Sequence, residues 1–193
     1  MTLIVGCDPS TKKIALVWHD TVTLTSGCVT YKINTASQSM SPASLGRAQD
    51  HMDTFVQMLA YMSPTDRQAW VEDPLVGKGG IRSTMVQAYV GGIIRASLHN
   101  AGFDVHDVHP STWKKAVCGT GAAKKPDVAR TIKVAWPKVH HLVESDGDLT
   151  DAAAIALYGH ESLQGRVAAP ARRRVPKGRS RPVLRPPRLR KAV

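Results

Sequence analysis

The chain has 193 residues, enough to bury one medium-sized hydrophobic core but not two. Its 42% hydrophobic content is that of a globular domain, and its apolar runs fall short of the ~20 residues needed for a transmembrane helix, which excludes a helical membrane span. The formal charge of +11 sits at one end: 11 of the 26 Lys and Arg lie in residues 165–193, which hold no acid, so residues 1–164 carry 15 basic and 15 acidic side chains.

Leu3 to Cys7 is a short apolar run broken by Asp8-Pro9-Ser10, which predicts a buried strand with Asp8 at its C-terminal edge. This start lacks the basic and long apolar regions of an export signal, so a cytoplasmic protein is expected. Cys7, Cys28 and Cys118 are odd in number and form no Cys-x-x-Cys pair, which predicts reduced thiols rather than disulfides or zinc. Ile14 to Trp18 and Val22 to Tyr31, with Asp20 and Gly27 as breaks, predict two more strands and an antiparallel meander. Ser41-Pro42 predicts a capped helix start, and Leu45, Ala48, Met52, Phe55, Val56, Leu59 and Met62 then recur at helical spacing until Ser63-Pro64.

Gln68 to Glu72 predicts a short strand ending on a carboxylate, and Gly77-Lys78-Gly79-Gly80-Ile81-Arg82 a mobile loop. From about Ser83 to Asn100 a second helix presents Met85, Val86, Tyr89, Val90, Ile93, Ile94 and Leu98. Gly91 and Gly92, each on the order of 1 kcal/mol less favourable than alanine, imply close approach by another backbone, whether by packing on the sheet or at a dimer contact. Phe103 to His109 predicts a fifth strand. Ser111 predicts the cap of a short helix bearing Trp113, Lys114 and Lys115, Pro126 opens a helix over 127–135, and a final helix begins near Asp148. The order βββαβαβα predicts an α/β fold, a mixed five-stranded sheet flanked by helices. Residues 1–164 are the expected catalytic domain. Residues 165–193 mix Arg with five prolines and are expected to be a disordered tail, in which Arg172, Arg173, Arg174 and their neighbours bind nucleic acid without reading its sequence. The plainer alternative is an anion-binding tail without a dedicated role.

Four acids stand where the chain could gather them. Asp8 and Glu72 end strands, and open α/β folds collect ligands at that edge of the sheet. Asp148 and Asp151, three apart at a helix start, share one face near a favourable helix terminus. Such a group repels itself unless divalent cations neutralise it, and Mg²⁺ and Mn²⁺ prefer hard oxygen ligands. Two ions could activate a water and stabilise the leaving oxygen of a phosphodiester displacement. Taken singly, Asp8 reads equally as a turn residue, Glu72 as a surface acid and Asp148 as a helix cap. Asp151 resists this because Ala152 to Leu157 after it is a strongly apolar helix. Asp146 could replace or supplement Asp148. Gly119 to Lys125 lacks the spacing of a phosphate-binding loop, and the eight histidines show no metal-binding spacing, with His109 and His160 expected to be structural.

Gly6-Cys7-Asp8-Pro9-Ser10, Val71-Glu72, Pro110-Ser111-Thr112-Trp113-Lys114-Lys115, Gly119-Thr120-Gly121, Ala123-Lys124-Lys125 and Asp148-Leu149-Thr150-Asp151-Ala152 together resemble the RuvC family of Holliday junction resolvases, in particular its phage-type relatives, over about residues 3–160. The resemblance implies a ribonuclease-H-like fold, and Asp8, Glu72, Asp148 and Asp151 as ligands of two Mg²⁺ or Mn²⁺ ions. It implies that Lys114 and Lys125, with Lys115 and Lys124 as near substitutes, face the scissile strand. Lys78 and Arg82 fall in the segment where the family carries an aromatic wedge, but residues 74–82 hold no aromatic. The expected activity is resolution of four-way DNA junctions by paired symmetric nicks from a homodimer. The alternatives are a broader nuclease acting on forks and other branches, and a non-catalytic basic DNA-binding protein.

Overall fold

The computed structural model describes residues 2–33, 41–62, 66–75 and 80–167. Thr2–Pro9 (β1), Lys13–Asp20 (β2) and Ser26–Lys32 (β3) form the predicted meander. Pro42–Met62 (α1), Asp66–Glu72 (β4), Gly80–Asn100 (α2) and Asp104–Val108 (β5) follow, then Pro110–Cys118 (α3), Lys125–Ala135 (α4), Pro137–Val143 (α5) and Gly147–Leu163 (α6). The sheet order is β3-β2-β1-β4-β5, antiparallel across the meander and parallel from β1 through β4 to β5. It is the mixed five-stranded α/β sheet that the sequence predicts.

Successive strand residues point to opposite faces, so β1 feeds two cores. Leu3, Val5 and Cys7 pack with Met52 and Leu59 of α1 and with Ile94 and Leu98 of α2. Ile4 packs instead with α6, and Gly6 and Asp8 share its face. At residue 6 a Cβ would lie 2.2 Å from the Ala152 carbonyl oxygen and 2.3 Å from the Ala156 nitrogen, so the backbone of α6 rests on the strand itself. The alanines of α6 permit that approach, and they are fully buried. In β4 the same alternation puts Trp70 in the α6-side core and Val71 in the other, which leaves Glu72 on the α6 side. Cys7 pairs with Val71, so Asp8 and Glu72 emerge side by side where the two strands end.

Several local expectations are corrected. The third strand starts at Ser26 rather than Val22, because Asp20 Oδ1 accepts the N–H groups of Val22 (2.8 Å) and Thr23 (3.0 Å) and Leu24 turns left-handed at φ 55°. Gly27 does not break the ladder: it pairs with Trp18, whose indole covers it so closely that a Cβ would sit 2.1 Å from Cζ2. The second helix begins at Gly80, so Ile81 and Arg82 belong to its first turn. Among the described residues no backbone crowds Gly91 or Gly92, so packing on the sheet does not account for them. Gly92 faces open space, and Gly91 makes room for the Arg95 guanidinium. His109, not Ser111, caps α3, its side chain accepting from the Ser111 N–H. Ser41 does cap α1, accepting from the Ser44 N–H. Helix α5 escaped the sequence reading, although Pro137 at its first position is a start signal. Among the described residues no helix is long and apolar enough to cross a membrane.

Gly6→Ala should lower stability by about 3 kcal/mol or more, since the new methyl meets backbone rather than a yielding side chain. Urea denaturation checks this, and a loss no larger than an ordinary surface substitution gives would show that α6 can lift off the strand.

Candidate active site

Asp8 is 8% exposed at the end of β1. Helix α6 starts against that edge, and its first turns carry Asp148 and Asp151 on the inward face. One carboxylate oxygen from each of Asp8, Asp148 and Asp151 lies within 4.8 Å of the others. Glu72 stands beside them at the end of β4, near enough for its charge to act on Asp8 and for that of Asp151 to act on it, although its carboxylate is not among the three oxygens so grouped. The four predicted acids therefore gather at one end of the sheet.

Burial, then the charges of Glu72, Asp151 and Asp148, push the Asp8 carboxyl well above the usual range. Burial also raises Glu72, against the hydrogen bond from Trp113, and raises Asp151, against Lys125 and Lys114. Asp148 goes the other way, because hydrogen bonds and charge from Lys125 and Lys13 outweigh its burial. Asp151 Oδ1 is buried with no hydrogen-bond partner. A buried, unpartnered carboxylate oxygen beside three other acids fits a hard divalent cation, and these four residues could hold one or more. His140, His141 and Glu144 also bring one ligand atom each within 4.8 Å of one another, which corrects the expectation of no histidine grouping; Glu144 oxygens lie 3.5 Å from His140 Nδ1 and 3.9 Å from His141 Nδ1.

The basic residues divide. Lys125 Nζ lies 2.6 Å from Asp148 Oδ1 and 4.0 Å from Asp151 Oδ2. Lys114 carries its Nζ 5.2 Å over the Trp113 ring, near enough to act on the charges of Glu72 and Asp151. Lys115 and Lys124 are exposed on the neighbouring surface, and Arg82 is exposed in the first turn of α2. Lys78, Arg172, Arg173 and Arg174 lie outside the described residues, as does the expected tail beyond Val167.

Lys13 and Arg95 went unread in the sequence, and Asp146 takes a different part from the one expected. Lys13 Nζ grips both oxygens of Asp146 (2.7 and 2.6 Å) and reaches Asp148 Oδ2 at 3.2 Å. The hairpin spacing could have found it, since β2 returns beside Asp8. Asp146 itself caps α6, accepting from the N–H groups of Asp148 (2.9 Å) and Leu149 (3.3 Å), so it supports the site rather than replacing Asp148. Arg95 reaches across from α2, donating to the Glu72 carbonyl (3.2 Å), Asp73 Oδ1 (3.4 Å) and Asp107 Oδ1 (2.6 Å). It fastens the ends of β4 and β5 together behind Glu72.

A mixed sheet with carboxylates converging at its edge and one helix completing the set defines a ribonuclease-H-like domain. The family model described as crossover junction endodeoxyribonuclease RuvC matches residues 4–159, and the chain belongs to that family. A relative of that description from Zymomonas mobilis is 34% identical over 116 residues, which cover 58% of this chain and 66% of that protein. One from Anaeromyxobacter is 32% identical over 119 residues, covering 58% and 56%. The chain thus aligns with somewhat more than half the length of these two relatives. A third, from Erythrobacter litoralis, is 25% identical but aligns over 81% of this chain and 91% of that one. Among solved structures, Thermus thermophilus RuvC superposes with a TM-score of 0.64 at 21% identity over 88% of this chain and 99% of that one, and its complex with a Holliday junction substrate at 0.65 and 20% over 86% and 98%. These structures share its fold.

The raised acids set a sign for pH dependence. An acid with a raised folded-state pKa contributes stability below its unfolded value, and that contribution is lost as pH rises through the folded value. Metal-free protein should therefore lose the contributions of Asp8, Glu72 and Asp151 between the ordinary carboxylate range and the raised Asp8 titration, while Asp148 and Asp146, held low, act oppositely in acid. At neutral pH without metal, Asp8→Asn should raise the melting temperature, by roughly 2–4 °C for each kcal/mol of repulsion relieved. Calorimetry with and without Mg²⁺ checks this; a melting temperature unchanged in both would mean that the acids do not share one field.

Proposed function

We propose that the protein is a divalent-metal-dependent endonuclease that resolves Holliday junctions, as a homodimer placing paired, symmetric nicks across a four-way junction. The observation that carries the reading is the convergence of Asp8, Asp148 and Asp151, with Glu72 beside them, where one Asp151 oxygen is buried without a partner. These residues would hold two Mg²⁺ or Mn²⁺ ions, which supply water activated near neutral pH and charge stabilisation of the leaving oxygen. Lys114 and Lys125 stand at the rim, where an ammonium group can stabilise charge that grows on the phosphate in the transition state. Lys115, Lys124, Arg82 and Lys78, with Arg172, Arg173 and Arg174, extend the cationic surface toward the DNA backbone. The expected setting is the cytoplasm, inside a host cell if the protein is phage-encoded.

The dimer reading rests on α2. Ile81, Met85 and Tyr89 are 74%, 50% and 52% exposed at i, i+4 and i+8, with the open Gly92 one turn further on. Such a stripe suits the self-complementary contact of a two-fold dimer. Met85→Arg should shift the protein to monomers in sedimentation equilibrium; an unaltered mass would move the interface elsewhere.

One feature favours a second reading, a nuclease acting on forks and other branches as well. Residues 74–82 contain no aromatic side chain to wedge a junction open. Cleavage of a mobile four-way junction and a replication fork in Mg²⁺ or Mn²⁺, by wild type and Asp151→Asn, separates the possibilities. Symmetric nicks on the junction, absent from the variant, are expected. Equal cutting of forks would favour the broader enzyme, and an inert wild type that still binds would leave a non-catalytic binding protein. Ending the chain at Gly165 should weaken DNA binding and flatten its salt dependence while cleavage chemistry survives, because eleven basic residues lie in 165–193. An unchanged salt slope would remove the tail from binding.

A further inference from the structure

Among the described residues, Glu72 is the member of the carboxylate group that takes a side-chain hydrogen bond from the core beneath it. Helix α3 begins two residues after β5 ends, fixed there by Pro110 in its first turn and by the His109 cap. That short link drives Trp113, 0% exposed, into the α6-side core with Val128, Ile132 and Ala152. The edge of the indole arrives at the metal site: Trp113 Nε1 donates to Glu72 Oε1 at 2.8 Å.

We infer that Trp113 is a positioning residue for the metal ligand Glu72, its indole N–H fixing which face of the carboxylate is presented to the ions. This rests on the metal-site reading above and adds to it the group that orients one ligand. Indole has a single donor and no acceptor, so it can serve Glu72 in one way only. A hydroxyl or an imidazole could exchange roles or swing to water. Trp113 can do neither, because close packing holds the ring and no solvent reaches it. The carbonyl of Glu72 is held independently by Arg95, so the residue is tied through its main chain from one side of the sheet and through its side chain from the other. Groups that orient metal ligands in this manner typically contribute 10–100-fold to metal affinity. The face of the same ring lies under Lys114.

Trp113→Phe removes the N–H while keeping an aromatic face for Lys114. Trp136→Phe is the control, since Trp136 is half-buried against the same core and no hydrogen bond joins its indole to a carboxylate of the site. Mn²⁺ binding to full-length protein without DNA is measured by electron paramagnetic resonance titration. Trp113→Phe should bind on the order of 10-fold more weakly than wild type, and Trp136→Phe should bind as wild type does. In parallel, Mg²⁺ is titrated into ¹⁵N-labelled wild type, where the indole resonance missing from Trp113→Phe should move while that of Trp136 stays in place. Wild-type affinity in Trp113→Phe, or equal weakening in both variants, would overturn the positioning role. If Trp113→Phe does not fold, the wild-type titration decides, and an unmoved Trp113 resonance overturns it. Should wild type bind neither ion, the metal-site reading falls and takes this one with it.

Discussion

Helix α6 lies against β1 with its backbone in contact with the strand, and only a residue without a side chain can occupy position 6 beneath it. This contact fixes a distance and a phase. With Ala152 and Ala156 seated on Gly6, the turn before them faces the end of the strand, where Asp8 points to the same side. Asp151 and Asp148 are carried to Asp8 by the helix repeat rather than by any attraction between them, for like charges would drive them apart. Packing supplies the order that electrostatics opposes. The four buried alanines of α6 are therefore part of the site, although none has a functional group.

The opposing charges are moderated from outside the pocket. Lys13, at the start of β2, binds Asp146 and Asp148, while Lys125, at the start of α4, binds Asp148 on its other oxygen. Asp148 is thereby held ionised, whereas Asp8, deeper and with no ion pair of its own among the described residues, is pushed toward its neutral form. A gradient results across a few ångströms, from a charge-balanced rim to an uncompensated floor. The floor is where a divalent cation gains most, because the acids there have the fewest alternative partners.

Much of this was readable in the chain. The apolar runs ending in Asp8 and Glu72, and the i, i+3 spacing of Asp148 and Asp151, depend only on strand and helix periodicity, which is local. The mixed character of the sheet follows from the succession of elements. What escaped depends on long-range contacts or on single turns. Lys13 and Asp146 meet across 133 residues. The indole of Trp113 reaches Glu72 across 41. Gly91 looked like a site of backbone contact, yet it answers to a side chain of its own helix, Arg95, whose fold-back no spacing rule predicts. Val22 falls outside the strand because Asp20 captures its N–H and that of Thr23, a local turn that the apolar pattern does not reveal.

The division of the ligands between the two ends of the domain has a consequence for biosynthesis. Asp8 and Glu72 are translated early and belong to the sheet; Asp148 and Asp151 arrive with α6, the last described helix. Until α6 docks, a growing chain holds only Asp8 and Glu72, at an open edge of the sheet. The set of four acids is complete only when that helix seats on Gly6, so a chain cut short before residue 148 would lack half of it.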